Sequence, residues 1–202
     1  MQNTEQQILK YAELEFLEKG YDGARTTSIA KAAGVTHAML HYYFRTKELL
    51  FERIIEKKMS EITPLITYLV GNENFPLIER IREAISIHFD FVAANPDLPK
   101  FLINEILPHH DKCMGFMSKI SDILIIFEKL QREVNEASSR GEVEHFNVLM
   151  LFQSILSLNV FPVVMTNIIN GILQKENLSA EEYLAIRKAE NIEMIMKRIT
   201  KR

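Results

Sequence analysis

One stretch decides the fold: Thr26-Thr27-Ser28-Ile29-Ala30-Lys31-Ala32-Ala33-Gly34-Val35-Thr36-His37-Ala38-Met39-Leu40-His41-Tyr42-Tyr43-Phe44. Ile29, Ala30 and Ala33 share one face of a short helix, and the small alanines let a second helix cross closely. Gly34 supplies the positive φ that a tight turn between the two requires. Val35, Leu40 and Phe44 then anchor the second helix on the first, and Thr36 stands where a side-chain oxygen caps it. The pattern is helix–turn–helix. His37, Ala38, Met39, His41, Tyr42 and Tyr43 are left off the apolar face, on a helix of a size that fits a DNA major groove.

Outward from this stretch the chain reads as helices throughout. Before it, Ile8, Ala12 and Phe16 recur four apart, and Gly20 marks a stop. After it, Thr46 is placed to cap a long helix beginning at Lys47, with Glu48 in its first turn. Further helices are expected at about 77–94, 98–107, 115–139 and 145–173. A last one is expected to start at Ser179, which forms a capping box with Glu182. Most of the 7 glycines and 6 prolines fall between these blocks, and no β alternation is visible. The expectation is an all-α fold of about nine helices. A helix–turn–helix head of residues 1–46 would precede a helical body of residues 47–202.

The head resembles the TetR/AcrR family of transcriptional regulators. The residues that carry the likeness are Ile8, Ala12, Phe16, Gly20-Tyr21, Thr26-Thr27, Ile29-Ala30, Ala33-Gly34-Val35, Leu40, Phe44, Lys47 and Glu48-Leu49-Leu50. A Pro-x-x-Pro-x-Phe stretch at 96–101, followed by Glu105, matches more loosely. The resemblance implies DNA contacts position by position. Thr26 and Thr27 would meet phosphate, while His37, Ala38, Met39 and His41 would face the groove. Tyr42 and Tyr43 would reach phosphates or thymine methyls, and Lys47 would clamp the backbone. The family commonly has Tyr where this chain has His41 and a small hydroxyl residue where it has Met39, so base preferences do not transfer. The recognition helix holds no Arg, Asn or Gln, which makes bidentate base reading scarce.

Charge agrees with a docked head. The whole chain of 202 residues carries a net charge of −3, which excludes a uniformly basic DNA coat. From Gly20 to Lys58, seven cations against four anions leave +3. Thr26, Thr27 and Lys47 also suit plain capping and solvation; their joint register with the helix–turn–helix favours DNA contact.

From His145 to Gln174 the chain has no Asp, Glu, Lys or Arg. Its length invites a membrane reading, but Gln153, Ser154, Ser157, Asn159, Thr166, Asn167 and Asn170 interrupt it. The polar arc changes side near Pro162, where a kink or break is expected. A helix apolar almost all round is buried from two sides. It is either the deep core of one subunit or a helix with one side on its own body and the other on a second copy, and the stripe Tyr183, Ile186, Ile192, Ile195, Met196 and Ile199 is available to pair with it. The family resemblance implies a homodimer through the eighth and ninth helices, a near-palindromic operator and a small-molecule effector. His88, Phe89, Phe101, Asn104, Glu105, Met114, Met117, Phe127 and Phe152 are the candidate lining for a mostly apolar ligand.

Other chemistry finds little support. The single cysteine excludes an internal disulfide framework. The acidic, polar N-terminal stretch does not read as a signal peptide, and a cytoplasmic location is expected. His109-His110-Asp111 with Cys113 follows Pro108, and adjacent histidines on a helix diverge, so no metal site is expected. No phosphate loop, nucleophile elbow or paired-carboxylate motif appears, and neither enzymatic activity nor a cofactor is expected. The sequence reading is a DNA-binding transcriptional regulator, a repressor released by a small ligand in the C-terminal body. Its rival is an interaction or architectural protein whose helical body recruits a protein partner and responds to no small molecule.

Overall fold

The computed structural model describes residues 4–72, 74–106 and 121–201. Its elements are α1 (Thr4–Gly23), α2 (Thr26–Ala32), α3 (His37–Tyr43), α4 (Lys47–Gly71), α5 (Leu77–Ala94) and α6 (Asp97–Phe101). A π-helical turn (Leu102–Ile106) follows α6. Among the described residues three long helices follow: α7 (Ser121–Ser139), α8 (Val148–Lys175) and α9 (Ala180–Ile199). Among the described residues the only β pairing is an isolated bridge between Val143 and Thr200. The all-α expectation therefore holds.

Local chemistry sets most of the helix ends. Gly20 has φ 70° and ψ 173°, so regular α1 stops there and a further turn runs to Gly23. The oxygens of Thr36 and Thr46 accept the backbone N–H groups of Met39 (3.1 Å) and Leu49 (3.2 Å). Asn147 caps α8 through the N–H of Met150 at 3.0 Å, which moves the helix start from the expected 145 to 148. At α9 the capping box is complete, with Glu182 N–H donating to Ser179 and Ser179 N–H to Glu182.

The chain divides into two compact units. The first takes residues 1–61 with 101–119, the second 62–100 with 120–202. The expected boundary at 46 is thus too early. Leu50, Phe51, Ile54 and Ile55 of α4 are buried in the head's core, so the first turns of that helix fold with the head. That core also takes Ile8, Ala12 and Phe16 of α1, Ile29 and Ala30 of α2, and Leu40 of α3. Phe16 meets Phe51 edge-on at 5.2 Å and stacks on Tyr21 at 6.0 Å.

The body's core gathers Leu77, Ile81 and Ile85 of α5, Val134 and Ala137 of α7, Leu151 of α8 and Ile195, Met196 and Ile199 of α9. Beside it runs a buried polar seam. Pro162 lies inside α8, which nevertheless continues as one helix from Val148 to Lys175. This corrects the expected break. Proline has no N–H for the carbonyl four residues back, that of Leu158. Asn191 of α9 supplies the missing donor to that carbonyl at 2.7 Å. The Asn191 amide also donates to Asn159 Oδ1 at 3.1 Å. Asn159 in turn donates to the Ile85 carbonyl (3.0 Å) and to His88 Nδ1 (3.1 Å). Arg187 donates to Asn191 Oδ1 at 3.1 Å and closes the chain of bonds. Both asparagines are fully buried and fully satisfied.

The outward side of α8 mixes large apolar residues with Gln153, Ser157 and Asn170. Its Val148–Thr166 segment has mean hydropathy 2.0 and is long enough to cross a bilayer by length and composition, with 33% of the window buried. Phe161, Ile168 and Ile172 are exposed, as are Ile186 and Met194 of α9.

Candidate nucleic-acid interface

α2 and α3 owe their arrangement to a few residues. Ala33 N–H donates to the Ile29 carbonyl, and Val35 N–H to that of Ala30, which winds the chain off α2. Gly34 takes φ 67° in the turn, a conformation costly for any residue with a Cβ. Thr36 then starts α3. Within the seven residues of α3 the contrast in burial is large. Leu40 has no exposure, whereas Tyr42 is 82%, Met39 44% and Tyr43 39% exposed. His37, Ala38 and His41 are exposed as well.

Polar side chains fix the rim. Thr26 Oγ1 and His37 Nε2 are 3.0 Å apart and link the start of α2 to the start of α3. His41 Nδ1 bonds the Arg45 carbonyl at 3.0 Å. The His37 and His41 rings meet edge-on at 4.4 Å, and Tyr42 and Tyr43 at 5.5 Å. Lys47 lies half-buried with its Nζ 4.6 Å from the centre of the Tyr21 ring, donating to the Asp22 carbonyl at 3.3 Å. The Tyr21 hydroxyl donates to Glu48 Oε1 at 2.6 Å. That hydroxyl holds the Glu48 carboxyl below its usual range. Burial, and then the Glu48 carboxylate, push the Tyr21 phenol well above its own. Tyr21 thus stays a neutral donor and Glu48 an anion, and Lys47 rests on an aromatic platform that those bonds hold still.

Each residue expected at DNA has a definite place. Thr27, His37, Ala38, Met39, His41, Tyr42 and Tyr43 are exposed, and Thr26 and Lys47 are half-buried. Reading the sequence missed Tyr21 as a support for Lys47. The only available signal was its place after Gly20, which says nothing about a lysine 26 positions later.

The expected ligand lining is gathered less well. Phe101 is not in the body: it is buried in the head's core, 5.2 Å from Phe51. Asn104 is exposed in the π-helical turn. The side chains of Glu105, Met114 and Met117 lie outside the described residues, as do His109, His110, Asp111 and Cys113. Phe89 is buried in α5, and Phe127 of α7 packs on Phe152 of α8 at 4.9 Å. His88 belongs to the polar seam, and its burial lowers its pKa to about 4, so it is neutral when it accepts from Asn159.

Residues 8–54 match the model for bacterial regulatory proteins of the tetR family, a range that holds the whole helix–turn–helix. Residues 8–54 therefore form a TetR-family DNA-binding domain. Among curated relatives, the nucleoid occlusion factor SlmA of Mannheimia succiniciproducens is 29% identical over 134 residues, 66% of this chain and 54% of that protein. The match therefore spans about half the length of this relative. YdgC of Bacillus subtilis, an uncharacterized HTH-type transcriptional regulator, is 25% identical over 86% of this chain and 95% of that protein. Among solved structures, the hemolysin II transcriptional regulator HlyIIR superposes with a TM-score of 0.66 and 24% identity, covering 98% of both chains. FadR of Bacillus subtilis, solved with stearoyl-CoA, superposes with a TM-score of 0.69 and 19% identity over 95% of this chain and 97% of that one. These likenesses extend the TetR-like fold across the body. The tetR-family match covers the helix–turn–helix head, the part of such proteins that binds DNA.

Proposed function

We propose that this protein is a TetR-family homodimeric repressor that leaves a near-palindromic operator when a small, mostly apolar molecule binds its C-terminal body. The observation that carries the DNA half is the division of α3 into the buried Leu40 and the outward Met39 and Tyr42. In this reading Ala38, Met39, His41 and Tyr42 face base edges and thymine methyls. Thr26, Thr27, Tyr43 and Lys47 hold phosphates, and His37 steadies Thr26.

Dimerisation is assigned to α8 and α9. Phe161, Ile168, Ile172, Ile186 and Met194 present exposed apolar surface that a second copy would cover. A two-fold dimer carries two recognition helices, which suits two half-sites. The effector is assigned to the body, with His88, Phe89, Phe127 and Phe152 the remaining candidate contacts. FadR of Bacillus subtilis, a fold relative solved with stearoyl-CoA, holds a ligand that carries a long apolar acyl chain. α4 contributes residues to both compact units, so it is the element through which a ligand would shift the separation of the two heads. Such a protein works in the cytoplasm, where its DNA is.

Selection of bound duplexes from a random pool tests the DNA half. The full-length chain should enrich an inverted repeat, and Tyr43→Ala and Lys47→Ala should each weaken binding to it. No enrichment, or no effect of either substitution, refutes the site. A screen of fatty-acyl and aromatic compounds for loss of operator binding tests the effector half. A second reading draws on the SlmA relatives, which are nucleoid occlusion factors: the DNA-bound body recruits a protein partner and needs no effector. An effector that releases the operator would discriminate against it.

A further inference from the structure

We infer that His41 selects, at one position of each half-site, a base bearing an exocyclic amino group, adenine or cytosine. The inference rests on the proposed placing of α3 against DNA. His41 Nδ1 is 3.0 Å from the carbonyl oxygen of Arg45. A carbonyl oxygen only accepts, so the hydrogen of that bond sits on Nδ1. A neutral imidazole with its proton on Nδ1 carries a lone pair on Nε2. Among the described residues the only other hydrogen-bond or ring partner of His41 is the edge-on ring of His37 at 4.4 Å, so Nε2 has no protein donor.

His37, one helical turn earlier, differs. Its Nε2 is engaged with Thr26 Oγ1 at 3.0 Å. The two imidazoles therefore have separate jobs: His37 is a positioning residue for Thr26, and His41 presents an acceptor whose tautomer is set by the protein before DNA arrives. That acceptor is repelled by phosphate oxygens, by guanine O6 and N7 and by thymine O4. It matches the N6 amino group of adenine and the N4 amino group of cytosine in the major groove. Because the Arg45 carbonyl lies in the link between α3 and α4, the ring is held by backbone rather than by a mobile side chain.

The test uses the full-length chain and its selected operator at pH 8, above the ordinary imidazole range. Every base pair of a half-site is varied in turn, with the same change in both halves, and affinities are measured by competition. At one position A and C on the same strand should bind alike, and better than G and T by at least about fivefold. His41→Ala should erase that preference at that position and leave the others standing. His41→Phe, which keeps a ring beside His37 but has no nitrogen, should do the same. A preference for G or T there, or a specificity pattern identical in both variants and the parent, overturns the inference while the operator itself upholds the regulator reading. So does a uniform loss of affinity in which the salt slope falls by about one, the signature of a protonated phosphate contact. If no operator is selected at all, the reading of α3 fails, and this inference with it.

Discussion

In the head every buried side chain among the described residues is apolar, and the hydrogen-bonding groups lie at the surface. In the body the order is reversed in part. Asn159, Asn191 and Arg80 are buried, while Phe161, Ile168 and Ile172 are outside. The difference separates two ways of specifying a fold. The head is small and is fixed by shape: Phe16, Leu40, Leu50 and Phe51 fill it, which frees its polar rim for a partner. The body contains a helix with a proline in the middle, and another helix donates to the carbonyl that the proline orphans. Its register is therefore set by hydrogen bonds between α5, α8 and α9, in addition to packing.

Four changes break or sharpen this contrast. The largest effect falls on the head. Phe16→Ala empties the centre of an aromatic cluster and should destabilise the head by about 3–5 kcal/mol, seen as a separate low-temperature step in calorimetry with the body's transition unmoved. A single shifted transition would mean that the two units unfold together.

The second acts on the body through pH. His88 is held at about 4 in the fold, against an ordinary value near 6.5. Above about pH 6.5 neither state takes up this proton, so His88 adds no pH dependence. Between about 6.5 and 4 the unfolded chain binds it and the folded chain does not. Stability contributed by this group should fall by up to about 3 kcal/mol across that window and level off below it. His88→Gln keeps an acceptor for Asn159 without a titrating group, and urea titrations across pH should show the parent's extra slope disappear. An unchanged slope would place the titration elsewhere.

The third tests the link between Pro162 and Asn191. Asn191→Leu leaves the Leu158 carbonyl without its donor and should cost about 2–3 kcal/mol. With Pro162→Ala in place an in-helix N–H is restored, and the same substitution should cost about 1 kcal/mol less. Additivity of the two changes would show that the asparagine does not serve the proline's carbonyl.

The smallest expected effect concerns Tyr21. Tyr21→Leu removes both the platform under Lys47 and the bond to Glu48. It should weaken operator binding several-fold, by about 1 kcal/mol, and flatten its salt dependence by less than one unit of slope. Tyr21→Phe keeps the platform and should retain most of the affinity.

What was legible in the sequence was local. Gly34, Thr36, Thr46 and the Ser179–Glu182 pair each act within a few residues, so their chemistry could be read from spacing alone. The outward set on α3 followed from the positions of Leu40 and Phe44. What escaped was long-range. Asn159 meets partners 71 and 74 residues away in α5, and Asn191 meets one 33 residues away in α8. No periodicity encodes those pairings, so Pro162 read as a kink or break and the bond between His88 and Asn159 went unseen. Phe101 was misplaced for the same reason, since an aromatic after Pro99 fits either core equally well by spacing. The head's boundary moved because α4 is continuous, and only tertiary burial shows which of its turns belong to which core.

The central claim is that α3 turns its outward face to duplex bases. Fluorescence anisotropy of the whole chain on a selected operator tests it most directly, comparing Tyr42→Ala and Met39→Glu with the parent at fixed salt. Losses of tenfold or more, with circular dichroism and melting temperature unchanged, are the expected result. Undiminished affinity in both well-folded variants would contradict it.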